Sequence, residues 1–60
     1  MNIPKDPNML LSYINTQLRD NYESLDDLCS SLGADKEQIT QKLESLGYKY
    51  NEKANRFGIA

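Results

Sequence analysis

The sequence offers few side chains that could do chemistry. It holds one thiol, Cys29, and no histidine. A nucleophilic cysteine needs a base beside it to raise the thiolate fraction, and without imidazole none is at hand. Cys29 recurs with Leu25, Leu28 and Leu32 at the spacing of one apolar helix face, which predicts a buried, inert thiol. The adjacent carboxylates Asp26 and Asp27 point roughly 100° apart on a helix, so they suit the positive end of its dipole better than a cation. One thiolate with scattered carboxylates does not make a zinc site. No glycine-rich phosphate loop and no carboxylate pair across a cleft is present, and so short a chain leaves little room for a pocket of several hundred cubic ångströms. The expectation is a protein without catalytic residues, cofactor, metal or small-molecule ligand.

Binding chemistry has more support. Between residues 36 and 46 the polar positions Lys36, Gln38, Thr40, Gln41 and Lys42 could meet a nucleic acid. Gln side chains pair with adenine edges, and lysines with phosphates. Lys49, Lys53 and Arg56 add positive charge further on. Against this, Glu37 and Glu44 share the exposed arc of the same helix and would oppose the phosphates that supply non-specific affinity. The chain carries 7 Lys and Arg against 9 Asp and Glu, a net charge of −2. Nucleic acid is therefore disfavoured without being forbidden. A second candidate is Met9 with Tyr13, on the flank of an amphipathic helix beyond Leu10. This edge either extends the core or meets a protein partner.

The elements that position these groups are read from caps and periodicity. Sixty residues make one domain, residues 1–60, of marginal stability. A single cysteine forbids an internal disulfide, so either the core suffices or a second copy helps. A first helix, about 7–22, starts at Asp6-Pro7. There the carboxylate can accept from unpaired amides, and proline loses no hydrogen bond. Leu10, Leu11, Ile14, Leu18 and Tyr22 form its apolar stripe; Ser12, Asn15, Thr16 and Arg19 lie opposite. A second helix, about 25–32, opens at Ser24, with Asp27 as a short capping-box partner, and stops at Gly33. The third, about 36–46, has Asp35 as cap, Gln38 as its partner and Ala34 with Ile39 as a hydrophobic staple. Ile39, Leu43 and Leu46 form its stripe, and Gly47 ends it. Only Ala34 separates Gly33 from Asp35, so the turn is tight.

Beyond Gly47 the period changes to two, predicting a hairpin over about 48–59. Pairing Tyr50 with Phe57 sets Tyr48 opposite Ile59 and Asn51 opposite Arg56, with Glu52-Lys53-Ala54-Asn55 as the loop and Asn55 able to take positive φ. Both apolar pairs are expected on the face that docks on the helices. Met1-Asn2-Ile3 could add a third strand. The fold class is α+β: a three-helix bundle with a helix-turn-helix and a C-terminal wing-like hairpin.

Two resemblances attach to these residues. Leu28 to Tyr48, with Cys29 at the small packing position, Gly33 at the turn and Ala34, Ile39, Leu43 and Leu46 at core positions, resembles the helix-turn-helix of winged-helix proteins. The likeness makes residues 36–46 the recognition helix and the hairpin the wing. The whole chain resembles a family of roughly sixty-residue bacterial proteins with no assigned role, catalogued as domain of unknown function forty-two fifty. The opening Asn2-Ile3-Pro4-Lys5-Asp6-Pro7, Met9-Leu10-Leu11, Leu18-Arg19-Asp20, Ser24-Leu25 and Leu28-Cys29 carry it. It implies a bacterial cytoplasmic origin and supplies no mechanism.

A cytoplasmic setting also follows from the lone cysteine, from a start without the basic and apolar segments of a secretory signal, and from apolar runs far too short to span a bilayer. The reading favours a non-catalytic protein-interaction module, self-association into a homodimer included. The alternative is a winged-helix DNA-binding protein.

Overall fold

The computed structural model describes residues 3–60, in three helices followed by a two-stranded antiparallel sheet. Helix α1 spans Pro7–Asp20, α2 Leu25–Leu32 and α3 Lys36–Glu44; strand β1 spans Tyr48–Asn51 and β2 Arg56–Ile59. The chain is therefore α+β, with the hairpin after the helices, as its periodicities predict.

The local signals account for most boundaries. Asp6 caps α1 by accepting from the Asn8 amide at 3.1 Å, ahead of Pro7. Ser24 caps α2, accepting from Asp27 N–H at 3.0 Å. The Asp27 carboxylate accepts in return from Glu23 N–H at 3.4 Å, one residue outside the usual capping-box position. Gly33 adopts the left-handed conformation at φ 65°, and both its N–H and that of Ala34 donate to the Cys29 carbonyl, which closes α2. Asp35 caps α3 from the Glu37 amide at 3.0 Å. The one-residue turn at Ala34 stands.

Two helices end early. Asn21 N–H and Tyr22 N–H both donate to the Gln17 carbonyl, so α1 stops at Asp20 and Tyr22 lies beyond it, half-buried against the core. At the end of α3, Leu46 N–H reaches Leu43 and Gly47 N–H reaches Glu44, a three-residue tightening that takes Leu46 out of the helix and leaves it half-buried.

The core comprises Leu10, Ile14 and Leu18 from α1, Leu25, Leu28 and Cys29 from α2, Ile39 and Leu43 from α3, and Phe57 from β2. The hairpin register is Tyr48↔Ile59, Lys49↔Gly58, Tyr50↔Phe57 and Asn51↔Arg56, as the loop length predicts, with Asn55 at φ 52°. Tyr50 and Phe57 lie in tilted ring contact at 5.5 Å.

The expectation that both apolar pairs dock is half wrong. Phe57 is buried, whereas Ile59 is 84% exposed and Tyr48 half-buried. That pair stands at the open end of the ribbon, past the last point where α1 grips β2. The third-strand expectation fell partly on Met1 and Asn2, which lie outside the described residues. Ile3 is not in a strand; it packs, half-buried, against the core.

Candidate functional site

Two asparagines, neither read as structural from its side chain, decide how the hairpin meets the helices. On α1, Asn15 donates its amide to the Phe57 carbonyl at 3.0 Å and accepts from Phe57 N–H at 2.8 Å. Phe57 alternates outward from the β1–β2 ladder, so Asn15 fills the place that a third strand would take. At the loop, Asn55 accepts from Tyr50 Oη–H at 2.6 Å and donates to the carbonyls of Leu18 at 3.1 Å and Tyr22 at 3.0 Å. Tyr50 Oη in turn accepts from Leu25 N–H at 3.2 Å. Asn55 and Tyr50 thus satisfy carbonyls at and just beyond the end of α1 and an amide at the start of α2, groups that a helix cannot pair by itself. Apart from the Tyr50–Asn55 bond within the hairpin, these contacts join residues 25 to 42 apart in the chain, and no local spacing signals them.

The clamp frames a groove between α1 and the hairpin loop. Leu11 and Leu18 lie along it, Ser12, Thr16 and Arg19 come from α1, and Arg56 comes from β2. At about 750 Å³ it is larger than a chain of this length was expected to form, and it is an open trough. Arg19 grips Asp20 through two nitrogens at 2.9 and 3.1 Å, an exposed pair in which each partner favours the charged form of the other.

The candidate nucleic-acid contacts Lys36, Gln38, Lys42, Lys49, Lys53 and Arg56 border four different grooves. Lys36 Nζ pairs with Asp26 at 2.7 Å, and that carboxylate holds the ammonium's pKa above its usual value. Glu23 and Glu52 line the same corner, so Lys36 stands in an acidic setting that would repel a phosphate. Gln38 and Lys42 border a different groove, facing Lys5, Asp35 and the incoming segment at Ile3 and Pro4. Thr40 is half-buried and Gln41 exposed. Lys49 and Lys53 share the outer side of the hairpin with Gly58 and Ile59, while Arg56 faces the α1 groove. Among the described residues, Lys49, Lys53 and Arg56 carry no ion pair.

The Met9–Tyr13 pair also separates. Met9 is 60% exposed, whereas Tyr13 packs half-buried against the core. Cys29 is buried, and desolvation raises its thiol pKa above the ordinary value. Among the described residues no group of three or more His, Cys, Asp or Glu could hold a metal ion, and no helix is long and apolar enough to cross a membrane.

Comparison with curated proteins returns no match, and neither does comparison with solved structures. A family model described as Domain of unknown function (DUF4250) matches residues 4–57. That span takes in Asp6-Pro7, both clamping asparagines, the α2–α3 turn and the hairpin through Phe57, so the chain belongs to the DUF4250 family.

Proposed function

We propose that this protein is a non-catalytic interaction module that docks through α1 and self-associates by the flank bearing Met9. The observation that carries the reading is the placement of large apolar groups. Among the described residues nine form the buried core, yet Met9 is 60% and Ile59 84% exposed, one on the first turn of α1 and one at the open end of the hairpin. Contact with a partner would remove both from water, at about 25 cal/mol per Å² of apolar surface covered. The burial of Cys29, which pushes its thiol pKa up, supports the absence of nucleophilic chemistry.

A second reading, winged-helix DNA binding through α3 and the hairpin, is favoured by Lys49, Lys53 and Arg56 of the hairpin, which carry no ion pair among the described residues. It is weakened by the capture of Lys36 in an acidic corner. One titration separates the two. Light scattering across a concentration series should show a dimer that Met9→Asp abolishes, together with no binding to mixed-sequence duplex DNA at low salt. A monomer at every concentration that binds DNA with a steep salt dependence, lost in Lys53→Glu and Arg56→Glu, would overturn the interaction reading.

A further inference from the structure

The polar side of α1 is a wall of the hairpin groove rather than an open solvated face. Ser12, Thr16 and Arg19 follow at i, i+4 and i+7, one above another, and Arg56 faces them from β2. No Asp or Glu lines this groove, in a chain where carboxylates outnumber Lys and Arg nine to seven. The arginine of the opposite wall carries no ion pair among the described residues, and Arg19 keeps one terminal nitrogen beyond the two that hold Asp20. The spacing between the walls is fixed in advance. Asn15 ties α1 to β2 within the groove, and Asn55 ties the loop to the end of α1.

We propose that this groove is a binding site for an oxyanion, the phosphate group of a small phosphomonoester. The Arg56 guanidinium fork, the remaining terminal nitrogen of Arg19 and two hydroxyls are spread over two walls, more than the two oxygens of a planar carboxylate can meet, while the three outer oxygens of a tetrahedral phosphomonoester can meet both walls at once. Leu11 supplies an apolar seat for the organic part of the ligand. Walls already clamped together lose little freedom on binding, which favours a small ligand.

The test is an amide chemical-shift titration with inorganic phosphate at constant ionic strength, run beside acetate and chloride. Saturable shifts are expected at Ser12, Thr16, Arg19, Ala54 and Arg56, with acetate at least tenfold weaker. Arg56→Gln should weaken phosphate at least tenfold, and Lys53→Gln, an equal loss of charge outside the groove, by less than twofold. The same spectra report whether each variant is folded. Three results would overturn the proposal: an equal response to acetate or chloride, equal weakening by both variants, or shifts of the groove amides with duplex DNA but none with phosphate.

Discussion

Asn55→Gly is expected to lower the unfolding free energy by about 3 kcal/mol, at about 1 kcal/mol for each hydrogen bond lost. The glycine keeps the positive φ of 52° without strain but removes the amide that serves Tyr50, Leu18 and Tyr22. Asn55→Ala should cost roughly 1 kcal/mol more, because an L side chain resists that conformation. Asn55→Asp is the sharper comparison. It is nearly isosteric and can still accept from Tyr50, yet it replaces two donated hydrogen bonds with a carboxylate against two carbonyl oxygens, so it should be worse than glycine. Urea denaturation followed by circular dichroism and tyrosine fluorescence measures all three. A chain of this size rarely holds more than about 3–5 kcal/mol, so the glycine variant should retain no more than about 2 kcal/mol and the other two less. If all three lie within 0.5 kcal/mol of the parent, on the order of an ordinary surface change, the loop clamp is not structural.

The second large effect lies in the core. Phe57→Ala is expected to remove about 3–5 kcal/mol, comparable to the whole stability of the domain, and to leave an unfolded chain at 25 °C. Phe57 is 1% exposed and is the one large side chain that the hairpin puts into the core. Ile59→Ala, two residues along the same strand face, should change stability by less than about 0.5 kcal/mol, because Ile59 is 84% in water. Thermal melts by circular dichroism separate the two variants. Comparable losses would mean that the open end of the ribbon folds down onto the helices after all.

What the sequence reveals and what it hides divides by distance along the chain. The caps at Asp6, Ser24 and Asp35, the left-handed Gly33 and the one-residue turn are settled by neighbours within a few positions, and they read correctly. The hairpin register reads correctly because a four-residue loop, with Asn55 as its positive-φ residue, leaves the Tyr50–Phe57 pairing in place. Ile59 misleads because alternation gives the side of a strand, not how far the helices beneath it extend. Tyr22 misleads because the apolar stripe of α1 continues past the point where its backbone turns to face Asn55. Asn15 looks like one more polar residue on a solvated face, since its partner Phe57 lies 42 positions away. The groove was hidden for the same reason: its walls come from opposite ends of the chain. Lys36 reads as an available cation from sequence because its partner Asp26 lies on the preceding helix, ten positions away.

Side-chain amides hold the ribbon against the helices, and the Phe57 backbone amide reports this most directly. It points away from β1, so only the Asn15 carbonyl oxygen shields it by a hydrogen bond. Amide hydrogen exchange on the unmodified protein should show Phe57 protected as well as the interior amides of α1, and Asn15→Ala should reduce that protection to the level of an open strand edge while Ile14 and Leu18 remain protected. A Phe57 amide that exchanges as fast as an open edge in the unmodified protein would contradict this clamping.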